Sequence, residues 1–187
     1  MGNISPNEIS AVAQRADCLY SEEEVELAID NIATRISAQL ASANPILLCV
    51  MNGALILTAK LASRLQFPLN IDYVHVTRYR DKTSGSHLQW EKEPSLELIG
   101  RVVIVIDDIF DEGATLGSVV EYCKKQGADK VLTVVLVNKL HDHKLVDIKC
   151  DFIGLEIEDR YLYGYGMDYK GYLRNAPGIY AVADSDK

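Results

Sequence analysis

Three aspartates lie close together in the stretch RVVIVIDDIFDEGATLGSVV, which starts at Arg101. Asp107 and Asp108 directly follow a run of apolar, mostly β-branched residues, and Asp111 precedes a glycine-containing turn. Neighbouring like charges repel, so these carboxylates need a cation or hydroxyl groups as partners, or must point in different directions and serve different purposes. The spacing therefore indicates a binding or catalytic site.

The turn after these acids can bind a phosphate group. Gly113, Ala114 and Thr115 lie between a predicted strand and a predicted helix. Because they are small or carry a hydroxyl, the backbone N–H groups of residues 112–115 can converge on a phosphate at the start of the helix. The acid pair would then accept hydrogen bonds from vicinal hydroxyls of an attached sugar, which can also ligate Mg²⁺. Asp111 would face whatever is attached to that sugar.

Three other interpretations of the acidic stretch are open. A strand that ends in acids is typical of ATPases, but these need a GxxxxGK[ST] loop, and GALILTAK from Gly53 to Lys60 lacks the second glycine. A phosphoacceptor receiver domain would carry its acid pair after the first strand, whereas here the pair follows a late one. The third interpretation is an acidic turn stabilised by solvent and by the dipole of the next helix.

Composition limits the class of protein. The 187 residues suit a single domain over 1–187, and the net charge of -8 without a basic block argues against a nucleic-acid partner. The four cysteines form no CxxC pair, which predicts reduced thiols rather than zinc or redox chemistry: Cys18, Cys49, Cys123 and Cys150. Residues 36–59 carry no charge, but polar residues and a proline interrupt them, so we expect no membrane span and a cytoplasmic protein.

Strand and helix patterns alternate along the chain. A capping box of Ser21 and Glu24 starts a helix in SEEEVELAIDNIATRISAQL. Helices are also predicted at residues 7–16, in ALILTAKLASRL and in TLGSVVEYCKKQG, and strands in PILLCV, NIDYVHVTRYR, LQWEKE, VVIVID, DKVLTVVLVNK and CDFIGLEI. This order predicts an α/β fold, a mostly parallel twisted sheet with helices on both faces. The turns at residues 51–54 and 107–115 would share its ligand crevice.

At these residues the sequence resembles the type I phosphoribosyltransferases. VIVIDDIFDEGAT is similar to the family signature of four apolar residues, two acids, two apolar residues and a small-residue phosphate loop. The resemblance implies that Asp107 and Asp108 bind a ribose and that its phosphate is bound by the turn of Glu112, Gly113, Ala114 and Thr115. Glu112 departs from the small or hydroxylated residue usual there, so its side chain must point outward.

From about Ser21 to Arg174 the chain resembles the hypoxanthine-guanine group of that family. CVMNGA is similar to the diphosphate-binding loop, where amides around Asn52 and Gly53 would bind diphosphate, although many relatives have lysine in place of Asn52. The family often has a non-proline cis peptide in this loop, here expected between Asn52 and Gly53. A mobile active-site loop is implied at about 79–92, with Tyr79 at a substrate-contacting position and Arg78 in place of a commoner serine.

The resemblance also implies a small hood from the N- and C-terminal segments, with base-binding residues at about 156–180. Lys139 would donate a hydrogen bond to the exocyclic oxygen of a 6-oxopurine. The remaining implied roles are stacking on the base (Tyr161), backbone contacts to it (Leu162), a Mg²⁺ site (Asp168, with Asp107 and Asp108) and diphosphate binding (Arg174). Taken singly, these residues also fit a solvated lysine and an aromatic strand edge, and His141 and His143 fit a polar loop without a metal.

The implied activity is purine salvage. The enzyme would transfer 5-phosphoribose from 5-phosphoribosyl 1-diphosphate to hypoxanthine or guanine, giving IMP or GMP and diphosphate, with Mg²⁺ as cofactor and Asp111 as the general acid or base near N7. Relatives imply a homodimer or homotetramer. Transfer to orotate, uracil or adenine is an alternative, as is a non-catalytic regulator that senses the diphosphate sugar. The choice among hypoxanthine, guanine and xanthine stays open.

Overall fold

The computed structural model describes residues 4–81 and 85–187 and, of residues 78–81 and 85–88, the backbone alone. Its elements are α1 (Pro6–Arg15), β1 (Asp17–Ser21), α2 (Glu22–Leu40), β2 (Ile46–Met51), α3 (Leu55–Arg64), β3 (Asn70–Asp81), β4 (Gly85–Lys92), β5 (Val102–Phe110), α4 (Ala114–Lys125), β6 (Lys130–Leu140), β7 (Phe152–Glu158), β8 (Leu162–Tyr163), β9 (Gly178–Ala181) and a 3₁₀ helix (Asp184–Asp186). The side chains of Arg78 and Tyr79 lie outside the described residues, so the roles expected of them and of the loop at 79–92 stay predictions.

The central sheet has six strands in the order β4-β3-β2-β5-β6-β7. All neighbours pair in parallel except β3 and β4, which are antiparallel. Most residues of β2, β5 and β6 are buried, because helices cover both sides of these β-branched apolar runs. The predicted mostly parallel α/β sheet is confirmed.

The chain reverses its direction of travel across the sheet between β2 and β5. From β2 it passes through α3 outward to β3, and from β5 it passes through α4 outward to β6 on the other side. Because such crossovers are right-handed, α3 and α4 lie on opposite faces of the sheet. Ligands of open parallel sheets bind at such a reversal, beyond the carboxyl ends of the strands. The ends of β2 and β5, at residues 51–53 and 107–113, therefore border the expected crevice.

Helix α2 begins as its sequence predicts. The hydroxyl of Ser21 accepts from the backbone N–H of Glu24, and the carboxylate of Glu24 accepts from the N–H of Ser21 at 2.8 Å. Its buried stripe, Val25, Ala28, Ile29, Ile32, Ala33, Ile36 and Leu40, packs against the sheet, and each large side chain in it stabilises the fold by about 1.5–3 kcal/mol. Among the residues that the structure describes, no helix is long and apolar enough to span a bilayer.

A second sheet joins the two ends of the chain. Its strands run in the order β1-β9-β8, with Cys18 opposite Tyr180 and Leu162 opposite Ala181. The rings of Tyr163 and Tyr180 stack with centroids 5.2 Å apart, which adds packing to a sheet of very short strands. Neither β1 nor β9 was predicted from the sequence, because runs of four or five residues carry little periodicity. This sheet is called the hood below.

Candidate active site

Strand β5 continues further than its apolar run. It ends at Phe110, so Asp107 and Asp108 lie within the strand and the acidic loop begins only at Asp111. The two adjacent carboxylates nevertheless stay close together, since the side chain of Asp107 hydrogen-bonds that of Asp108 and both line one cavity. The backbone N–H of Asp108 donates to Oδ1 of Asp107 at 3.0 Å. Asp107 and Asp108 are both buried, and removal from water raises the pKa of Asp108.

The loop after β2 packs directly against Asp108. A β-carbon on Gly53 would lie 2.2 Å from Oδ2 of Asp108, closer than two such atoms can approach. The cis peptide of this loop joins Met51 and Asn52. The expected position between Asn52 and Gly53 was therefore wrong by one bond, since a family likeness indicates a loop but not which of its peptides the packing holds in cis. The contact brings the ends of β2 and β5 together.

A cavity of about 300 Å³ opens at this junction. Its lining comprises Val50, Met51, Asn52, Gly53, Val76, Asp107, Asp108, Ile109, Asp111, Gly113, Thr115, Leu116 and Arg174. Helix α4 starts beside it at Ala114, and its first backbone N–H groups have no acceptor within the helix. The positive end of the helix dipole and these donors therefore suit an anion. Glu112 lies on the same turn, where its carbonyl accepts from the N–H of Leu145 at 2.8 Å.

The turn at Gly113 requires glycine. Its φ of 83° lies in the left-handed region, and an added β-carbon would lie 2.3 Å from the ring of Phe110 and 2.6 Å from the side chain of Val146. Lys144, near Val146, donates to the carbonyl of Phe110 at 2.7 Å. The segment of residues 141–149 after β6 thus packs against the predicted phosphate-binding turn and keeps it in place.

The segment of residues 164–177, which joins β8 and β9 of the hood, reaches the same cavity through Arg174. This guanidinium donates to the carbonyl of Gly166 at 2.5 Å and pairs with Oδ1 of Asp168 at 2.6 Å. Oδ2 of Asp168 accepts from the N–H of Gly171 at 2.7 Å. Gly166 in turn presses on the loop after β2, because a β-carbon there would lie 1.9 Å from the carbonyl oxygen of Gly53. Arg174 and Asp168 are therefore fixed relative to the loop after β2, which is predicted to bind diphosphate.

A second cavity, of about 290 Å³, adjoins the first. Its lining comprises Asp108, Ile109, Asp111, Lys139, Tyr161, Leu162, Met167 and Asp168. Asp108, Ile109 and Asp111 thus belong to both cavities. The ring of Tyr161 is half-buried and lies 5.5 Å from that of Tyr169, which supports it from behind. Every predicted site residue with a described side chain therefore lies at one of the two cavities or on the turn of residues 112–115.

Charged side chains surround Asp111 at the boundary of the cavities. Buried Lys139 donates to Oδ2 of Asp111 at 3.2 Å and to Oδ1 of Asp159 at 3.0 Å. On the other side, Nε2 of His141 lies 2.8 Å from Oδ1 of Asp111. Asp159 and His141 were not among the site residues predicted from the sequence. His141 was expected in a polar loop, and that loop folds back onto Asp111. No local pattern marked His141, because it lies just beyond Leu140, the last residue of β6.

Asp111, His141 and Asp159 could also be considered as metal ligands, because one donor atom of each lies within 4.8 Å of the others. The ammonium of Lys139, however, contacts both carboxylates. It supplies the positive charge that a cation would otherwise supply, and an ion here would have to displace it. The cluster of Asp111, His141 and Asp159 is therefore a poorer metal site than the acids at Asp107 and Asp108.

Comparisons with known proteins agree with this geometry. Residues 16–170 match the family model described as the phosphoribosyl transferase domain. The hypoxanthine-guanine phosphoribosyltransferase of Bacillus subtilis is 32% identical over 162 residues, which cover 86% of this chain and 89% of the relative. The hypoxanthine-guanine-xanthine phosphoribosyltransferase of Tritrichomonas foetus is 28% identical over 167 residues, 89% of this chain and 91% of the relative. A solved structure of a hypoxanthine-guanine-xanthine phosphoribosyltransferase superposes with a TM-score of 0.82 at 26% identity, covering 90% of this chain and 97% of that one.

Proposed function

Because the chain belongs to the phosphoribosyl transferase family, we propose that it is a purine salvage enzyme that transfers 5-phosphoribose from 5-phosphoribosyl 1-diphosphate to hypoxanthine or guanine. The products are IMP or GMP and diphosphate. One observation carries the proposal: two adjoining cavities share a wall made of Asp108, Ile109 and Asp111. A transferase for two substrates needs such a pair of sites, with the atoms that react at the shared wall.

The larger cavity suits the diphosphate sugar. The turn at Gly113 and Thr115 presents the start of α4 to the 5-phosphate, and buried Asp107 and Asp108 can accept hydrogen bonds from the ribose hydroxyls. On the opposite side, the backbone at Asn52 and Gly53 and the guanidinium of Arg174 can hold the diphosphate. Because Asn52 is uncharged where many relatives have lysine, Arg174 is the cationic group of this contact. The cavity therefore offers donors to the two anionic ends and acceptors to the sugar between them.

The smaller cavity suits a 6-oxopurine. Lys139 is buried in its wall and carries donors alone, which matches an exocyclic oxygen and rejects the 6-amino group of adenine, itself a donor. Tyr161 offers a ring face for stacking, and Leu162 offers backbone groups to the edge of the base. A protein that sensed the diphosphate sugar alone would have no need of this second cavity, so these contacts favour an enzyme over a regulator.

Mg²⁺ fits the acidic end of the sugar cavity. Asp107, Asp108 and Asp168 offer the carboxylate oxygens that this ion prefers, and burial raises the pKa of Asp108, whose ionised form a nearby cation would stabilise. The contacts of Asp168 with Arg174 and Gly171 leave further lone pairs on its oxygens. When bound, Mg²⁺ would supply neutralisation of the charge on the diphosphate leaving group.

The proposed reaction forms a bond between N9 of the purine and C1′ of the ribose while the bond from C1′ to the diphosphate oxygen breaks. Positive charge grows on the ribose ring as the diphosphate departs with the electron pair, and Asp107 and Asp108 keep negative potential beside it. Asp111, on the shared wall, can accept the N7 proton that the purine loses. The chain thus supplies orientation, charge and one proton acceptor.

The test of this function uses purified protein with 5-phosphoribosyl 1-diphosphate, Mg²⁺ and one base at a time: hypoxanthine, guanine, xanthine or adenine. Chromatography of the products should show IMP and GMP and no AMP, and the xanthine reaction will define selectivity at position 2 of the base. If no nucleotide formed from any of the three 6-oxopurines, the proposed transferase activity would be refuted. A gel shift with RNA and DNA at low salt tests the alternative of a non-catalytic regulator. The net charge of -8 predicts that the protein binds neither nucleic acid.

We also propose that the protein is a homo-oligomer, as the family resemblance implies. Leu55, Ile71 and Tyr73 are large apolar side chains that are exposed side by side around a cavity of about 410 Å³ between α3 and the start of β3. Exposed apolar clusters of this kind favour burial against another protein surface. Sedimentation should give a dimer or tetramer, and Ile71→Asp should shift it toward the monomer. A wild-type monomer at micromolar concentration would contradict the proposal.

A further inference from the structure

His141 contacts the proposed proton acceptor Asp111 but has no role so far in the proposed reaction. Its side chain is 7% exposed although it lies in the polar segment that follows β6. Nε2 of the ring lies 2.8 Å from Oδ1 of Asp111, and Nδ1 accepts from the backbone N–H of His143 at 3.0 Å. Both ring nitrogens therefore have partners, and the partners differ in kind. Such a pair of contacts determines where the ring carries its proton.

The backbone contact selects one tautomer of His141. Because Nδ1 accepts a hydrogen bond from His143, it cannot carry a proton itself, so the proton of the neutral ring is on Nε2. Nε2–H then donates to Oδ1 of Asp111. The ring is a rigid link between the backbone at His143 and the carboxylate. We propose that His141 is a positioning residue, which holds one oxygen of Asp111 so that the other faces the purine.

The second oxygen of Asp111 has a different partner. Oδ2 accepts from Lys139, whose ammonium it shares with Asp159. This step rests on the proposed function: a 6-oxopurine takes a hydrogen bond from Lys139 through its exocyclic oxygen, and the ammonium then turns away from Oδ2. Asp159 remains to compensate its charge. Oδ2 becomes available to N7 while Nε2–H of His141 still holds Oδ1, so the entry of the base exposes the proton acceptor.

The proton balance of the step is complete without a further group. The purine arrives with a hydrogen on N7, N9 attacks C1′, the diphosphate leaves with the bonding pair, and the N7 proton passes to Oδ2 of Asp111. His141 neither gains nor loses a proton. Its effect is on geometry, because the side chain of Asp111 is 45% exposed and has no other described contact that fixes its rotation. Misplacement of a catalytic group by about 1 Å can cost about 10²-fold in rate.

Two substitutions separate the hydrogen bond to Asp111 from the shape of the segment. The amide of Gln in His141→Gln can reach Asp111 as Nε2 does, whereas that of Asn in His141→Asn can accept from His143 but is too short to reach the carboxylate. We expect His141→Asn to lower kcat about tenfold with the KM for 5-phosphoribosyl 1-diphosphate unchanged, and His141→Gln to keep kcat within about threefold. Asp142→Ala, exposed on the same segment, changes neither contact of the His141 ring and should match the wild type.

Equal losses in His141→Gln and His141→Asn would mean that the segment, not the hydrogen bond, matters, and would overturn the proposal, as would a wild-type kcat for His141→Asn. A second measurement needs no turnover. Two-bond ¹H–¹⁵N correlation spectra of the wild type should show His141 as the Nε2–H tautomer at neutral pH, its signals identified by their loss in His141→Gln. A proton on Nδ1 would also overturn the proposal.

The two measurements distinguish this inference from the proposed function. If the wild type makes no nucleotide from any 6-oxopurine, the proposed function fails, and the spectrum alone decides whether His141 donates to Asp111. If the wild type is active and His141→Asn is as active, the positioning role fails and the proposed function stands.

Discussion

Gly53 and Asp108 are in direct contact, although they lie on different strand ends. A β-carbon at Gly53 would lie 2.2 Å from Oδ2 and 2.8 Å from Oδ1 of Asp108. Glycine is therefore needed here for lack of a side chain rather than for its backbone freedom, since its φ does not lie in the left-handed region. The contact links the backbone that would hold the diphosphate to a carboxylate that would hold the ribose.

The substitution Gly53→Ala should displace the carboxylate of Asp108. Overpacking of a buried site costs about 1–3 kcal/mol, and a displaced carboxylate should also raise the KM for 5-phosphoribosyl 1-diphosphate. Urea unfolding and steady-state kinetics measure the two effects. In the background Asp108→Ala the clash disappears, so the added loss of stability from Gly53→Ala should fall below about 0.5 kcal/mol. An undiminished loss in that background would place the clash elsewhere.

The substitution Asp111→Asn should reduce turnover far more than it weakens binding of the diphosphate sugar. An amide cannot accept the N7 proton, and loss of a general base costs about 10²–10⁴-fold in rate. Steady-state kinetics with hypoxanthine should show the loss in kcat, with the KM for 5-phosphoribosyl 1-diphosphate within about threefold of wild type. Asp142→Asn, on the exposed segment after β6, is the matched control and should leave both constants unchanged. Equal losses in kcat and in sugar binding would count against the role of Asp111.

The substitution Lys139→Met should weaken binding of the purine. A hydrogen bond from a charged donor contributes about 1.5–3 kcal/mol, which corresponds to about 10- to 100-fold in the KM for hypoxanthine. The KM for 5-phosphoribosyl 1-diphosphate should change little. Lys124→Met removes an exposed lysine that pairs with Glu121 at 3.1 Å and serves as control. If Lys139→Met used hypoxanthine as well as the wild type does, the assignment of the smaller cavity to a 6-oxopurine would be wrong.

Glu26 should make the stability of the protein depend on pH. Burial alone would raise the pKa of this carboxyl, but hydrogen bonds from Lys60, Tyr165 and Arg64 outweigh it and lower the pKa to about 2. A group with a lowered pKa stabilises the folded state above its ordinary value of 4.5, and this contribution is lost as the pH falls from there toward about 2. Discounted for the side chain's partial exposure, it is about 1–2 kcal/mol at pH 7.

The substitution Glu26→Gln tests this pH dependence. Urea unfolding at a series of pH values should show that Glu26→Gln is less stable than the wild type at pH 7 and that the difference shrinks below about pH 4.5. Tyr165→Phe, which removes one of the three donors and keeps the ring, should lose a smaller part of the same contribution. A difference between wild type and Glu26→Gln that did not change with pH would refute the electrostatic explanation.

Much of the fold could be predicted because its signals are local. The β-branched runs of β2, β5 and β6 and the capping box at Ser21 each lie within a few residues of the element that they specify. The short strands β1 and β9 could not be predicted, since each is stabilised by its neighbours in the hood rather than by a pattern of its own. The sequence likewise did not show which peptide of the loop after β2 is cis.

The sequence by itself determined which chemical groups the site would contain. It identified the acids at the end of β5, the small-residue turn at Gly113, Lys139 and Tyr161, and the type of sheet that presents them. The tertiary structure decided how these groups meet. Phe110 lies opposite Asn138 in the pairing of β5 and β6, and this register brings Asp111 beside Lys139 and His141, 28 and 30 residues further along the chain. Register depends on packing across the whole sheet, so no local pattern could show that His141 contacts Asp111.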